Sequence, residues 1–173
     1  MEFNNFKLDL LSKKYYQLIY KYYKSNRDHL EPWEPTRKKG YYTLGFHIKR
    51  TNERLDLMKI NESMHFILLN NTKNEMIGVC NYTHIKDGEC WLGYSISKLY
   101  QGLGYMYESV INTNKHMMDA YNIKKINAGI ITNNQRSLTL INRLSFQPTG
   151  EIIKKEINHN VELLEVFSLT NPL

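Results

Sequence analysis

Cysteine is nearly absent: Cys80 and Cys90 are the only two in 173 residues. They show neither CxxC spacing nor a secretory context, so two buried thiols are expected, with no disulfide and no zinc site. The six histidines lack the spacing of a metal-ligand set, and each is expected to be structural or exposed. No apolar run approaches the roughly 18 residues that a membrane span requires. The opening segment, MEFNNFKLDLLSKKYY, lacks the basic, apolar, small-residue order of a signal peptide, which points to a soluble cytoplasmic protein. Internal repeats, low-complexity tracts and Gly/Ser linkers are missing too, so one domain around one sizeable core is expected. The Walker pattern GxxxxGK[S/T] does not occur, which removes the P-loop class.

Basic residues are in excess, 23 Lys and Arg against 17 Asp and Glu, for a formal net charge of +6. That balance suits a polyanionic ligand, whether nucleic acid or a phosphate-rich cofactor, and equally a solvated mixed-charge surface. The basic residues are spread along the chain and do not choose between these.

Phe6 to Leu10 alternates like a strand, and Ser12 is placed to cap a helix whose apolar face is Tyr15, Leu18, Ile19 and Tyr22. Pro32 and Pro35 hold Trp33 in a stiff segment, LEPWEP, that should not lie within a helix. A second helix is expected from Tyr41 to about Met58, with Leu44, Ile48, Leu55 and Met58 on its apolar side. Three strand-like runs follow, Met64 to Leu69, Met76 to Tyr82 and Cys90 to Ile96, separated by the turn-rich NNTKNE and KDGE. Met106, Val110, Met117 and Tyr121 repeat at helical spacing. Ile126 to Ile131 reads as a strand, Gln135 to Leu144 as a helix, and Glu151 to Ile157 with Val161 to Leu169 as a final hairpin. The sum is an α+β fold with a mixed sheet of six to seven strands flanked by helices.

The stretch YQGLGYMYES, Tyr100 to Ser109, falls where the meander gives way to a crossover, and its Gly102 and Gly104 permit either a phosphate cradle or a tight turn. A dinucleotide fingerprint GxGxxG would need a third glycine where Tyr107 stands. The remaining template is the Q/R-x-x-G-x-G/A turn, matched by Gln101 and Gly104 with Met106 in the sixth place. This turn resembles that of the GCN5-related N-acetyltransferases (GNAT). WLGYSISKLYQGLGYMYES, the downstream block NNQRSLTLINRLSFQPTGE and the upstream NRDHLEPWEP together resemble the RimJ/RimL branch of that superfamily, over about residues 5 to 170. In the downstream block Asn134, Ser137, Leu144, Phe146 and Gly150 match, while Ser145 stands where the branch usually has glycine. Within the branch, the chain also looks like the acetyltransferase module of microcin C self-immunity proteins, which would make it part of a larger bifunctional chain with a fused N-terminal domain.

The resemblance implies acetyl-CoA as cosubstrate and no metal. Tyr94, Ser95 and Ile96 would pair their backbone with the pantetheine arm. Gln101, Gly102, Leu103, Gly104, Tyr105 and Met106 would hold the pyrophosphate at a helix start. Asn134 would bind the coenzyme A arm or cap the helix, or do both. Ser137 would donate a proton to the leaving thiolate, or else cap and pack, and Glu156 would be the general base or an outward-facing strand glutamate. Trp33 and Phe46, the latter about 200° around the second helix from Leu44, would sandwich a planar base, or else close the core. Arg37, with Arg27 and Lys38, would meet a phosphate or acidic group, or else lie as solvated surface. The acceptor so implied is the α-amine of a small aminoacyl nucleotide, whose acetylation would confer antibiotic resistance. The alternatives are the N-terminal alanine of a ribosomal protein and, from a different class, an RNA-binding module, since 13 tyrosines, six phenylalanines and two tryptophans accompany the basic charge. The acetyltransferase blocks make nucleic acid the weaker expectation.

Overall fold

A computed structural model describes residues 1–3, 5–72 and 74–171. Seven strands form one mixed sheet: β1 (Phe6–Leu10), β2 (Ser63–Asn70), β3 (Glu75–Lys86), β4 (Glu89–Ile96), β5 (Lys125–Ile131), β6 (Gln147–Ile157) and β7 (Asn160–Thr170). Their order is β1-β2-β3-β4-β5-β7-β6. The expected meander β2-β3-β4 and the final hairpin are present, and β4 and β5 are the parallel pair.

Helices cover both faces. On one side α1 (Tyr16–Ser25), α2 (Arg27–Leu30) and α3 (Leu44–Lys59) bury Ile19, Tyr22, Tyr23 and Leu30 against Ile67, Leu69, Met76 and Val79. On the other, α4 (Tyr105–Tyr121) and α5 (Gln135–Arg143) bury Met106, Val110, Met117 and Ile141 against Phe66, Leu68, Ile77, Cys80 and Tyr82. With both faces covered, β2 is buried along nearly its whole length and reads as an apolar run rather than an alternating one. Cys80 and Cys90 are free and buried, and burial pushes both thiols up to about 12.

Several local expectations are corrected. Ser12 makes no side-chain cap; a 3-10 turn, Lys13–Tyr15, leads into α1 instead. The LEPWEP segment does stay out of helix interiors, with Trp33 at the end of a 3-10 turn, Glu31–Trp33. The helix expected from Tyr41 begins at Leu44, because Thr43 adopts an extended conformation and its Oγ1 accepts the Phe46 N–H at 3.3 Å. Its buried residues are His47 and Thr51, not Leu44 and Ile48. Ser145 takes φ 63°, the left-handed conformation that glycine occupies at lower cost, in the turn between α5 and β6.

The polar face of α3 predicts a pH response. His47 and the β2 residue His65 are buried. Burial, with Arg50, Arg37 and Arg54 adding to it, pushes His47 down to about 4. Burial and Arg54 push His65 down to about 3. In the unfolded chain both titrate near 6.5, so below that pH the unfolded state takes up more protons. Their contribution to stability is therefore intact above about pH 6.5 and is lost as pH falls toward the folded values. For His47 the loss between pH 7 and pH 4 is about 3 kcal/mol. Urea unfolding should show the stability falling already between about pH 6.5 and pH 5, above most carboxylate titrations, and His47→Gln should flatten that segment. A wild-type midpoint that is constant across this window would contradict the assignment.

Candidate active site

β4 and β5 share only three ladder positions, Glu89 with Lys125, Cys90 with Ile126 and Trp91 with Asn127. Beyond them the strands part: β4 continues paired to β3 alone as far as Ile96, and β5 continues paired to β7 alone. The inner edges from Leu92 and from Ala128 onward thus form a wedge whose backbone groups the sheet does not use. Buried or half-buried backbone donors and acceptors require partners, so an extended amide-bearing ligand is the natural complement of such an edge.

At the mouth of the wedge the glycine loop delivers a helix start. Gly102 has φ 75° and Gly104 φ 80°, and Gly104 is the residue that opens α4. A side chain at either would be strained by that φ. Met106 is buried with its sulfur 3.7 Å from Cys80 Sγ, so the bulky sixth residue of the motif points into the core and only its backbone faces the loop. Tyr105 likewise packs inward, 4.9 Å from the Phe6 ring, while Leu103 is exposed. Gln101 Oε1 accepts from Arg136 Nη1 at 2.8 Å, which sets a guanidinium beside the loop. His29 Nε2 lies 3.2 Å from both the Ile96 carbonyl oxygen and Gln101 Nε2, and Asn26 Oδ1 accepts the Lys98 N–H at 3.2 Å. The NRDH segment therefore braces the end of β4.

Across the wedge, Tyr94 of β4 meets Ser137 of α5, hydroxyl to hydroxyl, at 2.6 Å. Asn134 caps α5, its Oδ1 accepting the Ser137 N–H at 3.2 Å. Burial pushes the Tyr94 phenol up, with the Ser137 contact offsetting part of the shift. Either hydroxyl can donate in this contact, and the Tyr94 hydroxyl also lies 3.4 Å from the Ser137 carbonyl oxygen. Thr139, two residues on, ties its proton to the Gln135 carbonyl one turn back. Ser137 Oγ makes no such bond to a carbonyl among the described residues; its partner is the Tyr94 hydroxyl. Because side chains alternate along a strand, Gly93 and Ser95 face the opposite side; there Ser95 Oγ lies 2.9 Å from the Tyr22 hydroxyl of α1, and Gly93 has nothing within 4 Å of where a β-carbon would be.

Residues 34–38, between α2 and α3, form an arch to the tip of the β6–β7 hairpin. Thr36 Oγ1 donates to Glu156 Oε1 at 2.8 Å and accepts the His159 N–H at 2.8 Å, and the Glu34 carbonyl accepts the Asn158 N–H at 3.2 Å. Glu156 is thus an exposed carboxylate held at the tip of the β6–β7 hairpin. Arg37 forms an ion pair with Glu34 and lies 4.0 Å over the Tyr41 ring. Trp33 is 40% exposed. Phe46 packs its ring on Tyr41 at 4.9 Å and on His47 at 5.6 Å.

The residues expected at the donor side, Tyr94, Gln101, the glycines, Asn134 and Ser137, are brought to one mouth. Glu156 and Arg37 are brought to the arch, next to Thr36. Sequence reasoning missed His29, Arg136, Thr36 and the Tyr94 hydroxyl; NRDH and NNQRS carried the first two in plain view, with no periodic signal to single them out. No group of His, Cys, Asp and Glu able to hold a metal ion occurs among the described residues, and no described helix is long and apolar enough to cross a membrane.

Residues 11–147 match the family model described as an acetyltransferase (GNAT) domain. The chain is 34% identical over 133 residues to the [ribosomal protein uS5]-alanine N-acetyltransferase of Escherichia coli, covering 75% of this chain and 68% of that protein. Its fold superposes on the ribosomal-protein-S5-alanine acetyltransferase of Vibrio fischeri with a TM-score of 0.93 and 29% identity, covering 99% of this chain and 96% of that one. The microcin C7 self-immunity acetyltransferase MccE, solved with acetyl-CoA and AMP, shares the fold at a TM-score of 0.87 with 14% identity, over 98% and 94% of the two chains. With the parted strands, the glycine-opened helix and a matching model over most of its length, the chain belongs to the GNAT family of acetyltransferases and is an N-acetyltransferase.

Proposed function

We propose that the enzyme transfers the acetyl group of acetyl-CoA to the α-amine of a protein N-terminus of the alanine type. The observation that carries this reading is the 34% identity to a ribosomal-protein alanine acetyltransferase across three quarters of the chain. It reverses the order of acceptors that the sequence motifs alone favour. The chemistry agrees with it. An α-amine with pKa near 8 loses only about 1.4 kcal/mol to deprotonation at pH 7, against roughly 4.6 for a lysine side chain, so a modest base is sufficient. Glu156, exposed and oriented by Thr36, takes that role. The unpaired β4 edge aligns the pantetheine amides, and the α4 start with Arg136 meets the pyrophosphate. Ser137 gives its proton to the departing thiolate while accepting one from Tyr94.

The test is a comparison of kcat/KM for an alanine-starting peptide and for an aspartyl adenylate analogue. Turnover of the peptide at the higher kcat/KM supports the reading; turnover of the analogue alone sinks it. One observation favours the aminoacyl-nucleotide acceptor, with its link to antibiotic immunity: Trp33 is a proline-flanked indole with 40% of its surface exposed. Phe46 is engaged by Tyr41 and His47, so Trp33 is the ring free to stack. If the nucleotide is the acceptor, Trp33→Ala should raise KM for the adenylate analogue by at least about tenfold, the effect of roughly 1–3 kcal/mol of base stacking. Equal KM values in variant and wild type would dismiss the stacking role.

A further inference from the structure

Beside the arch, the protein collects more positive charge than it compensates. Arg37 and Arg50 both face the two buried phenols Tyr23 and Tyr41, with Arg37 Cζ 4.0 Å and Arg50 Cζ 5.5 Å from the centre of the Tyr41 ring. Arg50 Nη1 donates to the Tyr41 hydroxyl at 2.7 Å, and the Arg54 guanidinium acts through its charge on both Arg50 and the Tyr23 phenol. His47 stacks on Tyr23 at 5.1 Å with the rings 7° from parallel. Among the described residues one carboxylate pairs with the group, Glu34 with Arg37; Glu53 acts on Arg50 only from a distance and pairs with Lys49. Among the described residues Arg50 and Arg54 have no carboxylate within ion-pair distance. Like charges held together away from bulk water repel strongly unless a counter-charge joins them.

Two further signs point the same way. Arg37 Nε and His47 Nε2 are buried and have no hydrogen-bond partner among the described residues, and His47 is only 1% exposed. Unmet buried polar atoms are uncommon in folded proteins, and two of them side by side among arginines call for a partner such as an ion. The field of the cluster is also felt by its neighbours: burial pushes Tyr23 up, yet Arg50, Arg54 and Arg37 together hold its phenol below the ordinary value. The position matters as well. Arg37 is next in the chain to Thr36, the residue that holds Glu156, so the cluster adjoins that carboxylate.

We propose that the Arg37, Arg50, Arg54, Tyr23, Tyr41 and His47 cluster binds an anionic group of the acceptor, a carboxylate or a phosphoryl, placed beyond the reacting amine. This rests on the acceptor lying on the Glu156 side of the wedge. Planar guanidiniums with phenolic donors between them match the geometry of either anion, and a charge-assisted bond formed there contributes both affinity and register. The acceptor is then selected by the charge beyond its first residue as well as by the α-amine itself.

The experiment uses the whole chain with coenzyme A saturating, so that its own phosphate site is filled. Calorimetry would compare two alanine-starting peptides that differ only by Asp or Asn at an early position, and AMP against adenosine. The acidic peptide, AMP or both should bind about tenfold more tightly than the uncharged counterpart, in keeping with a hydrogen bond to a charged group, and the preference should weaken with added salt. Arg50→Gln, and Arg37→Gln as a second variant should the first not fold, should abolish the preference. In turnover the acidic peptide should show the lower KM at unchanged kcat. Equal binding of both pairs by the wild-type chain would overturn the proposal. Because binding is read without turnover, a peptide that binds by its acid yet is not acetylated would count against the N-terminal acceptor reading and leave the anion site standing.

Discussion

Ser137→Ala should lower kcat about 100-fold while KM for acetyl-CoA stays within about twofold of wild type. The serine sits in the first turn of α5, where its backbone is already fixed by the Asn134 cap, so removing one oxygen leaves the helix start intact. What is removed is a hydroxyl that, unlike that of Thr139, is not tied to a carbonyl among the described residues and is paired with a second hydroxyl, Tyr94 at 2.6 Å. A thiolate leaving group gains from a proton donor mainly as charge develops, so the loss falls on kcat. Tyr94→Phe keeps the ring and deletes the hydroxyl paired with Ser137, with an expected fall in kcat of about tenfold. Since Tyr94 acts through Ser137, the double variant should be no slower than Ser137→Ala alone, a non-additivity that two independent structural losses would not produce. An unchanged kcat in Ser137→Ala would mean that the thiolate departs without this hydroxyl.

Gly93→Val should abolish detectable transfer, by at least about 100-fold, with little change in melting temperature. In most strands a valine at a glycine is a packing problem, but a β-carbon at Gly93 meets nothing within 4 Å and the residue has no left-handed backbone to strain. The strand is free on the β5 side from Leu92 onward, and Gly93 shares its face with Ser95, which touches α1. An added isopropyl group would stand where acceptor and donor must approach, and a displacement of about 1 Å is enough to cost two orders of magnitude in rate. Circular dichroism melts beside steady-state rates would check this. A stable and fully active Gly93→Val would show that the reacting groups meet elsewhere.

The elements whose burial follows apolar periodicity were legible in the sequence. Met106, Val110 and Met117 marked the inner face of α4, and Met64 to Leu69 marked β2, because each buries hydrocarbon against hydrocarbon. Leu55 and Met58 of α3 do pack against the core, but the first half of its inner face was misread for the opposite reason. Its interface is built from His47, Thr51 and arginines packed on tyrosine rings, and hydropathy counts such residues as solvent-facing. The glycine loop could be placed because only a few residues satisfy its left-handed φ, whereas the direction of the Met106 side chain could not. The contacts that orient the acceptor side join residues far apart, Thr36 with Glu156 across 120 positions and His29 with Gln101 across 72. Nothing local in the chain reports such a pairing. Tyr94 was legible as a strand residue, but its hydroxyl acquires a role only once the parting of β4 and β5 brings α5 to face it.

The central claim is that acetyl transfer occurs across the wedge onto an α-amine. Incubating the protein with acetyl-CoA and a peptide that carries both a free N-terminal alanine and an internal lysine, then locating the added group by tandem mass spectrometry, addresses it directly. One acetyl group on the alanine nitrogen, lost in Ser137→Ala at matched time, is the predicted result. Acetyl on the lysine side chain with a free N-terminus would contradict the account.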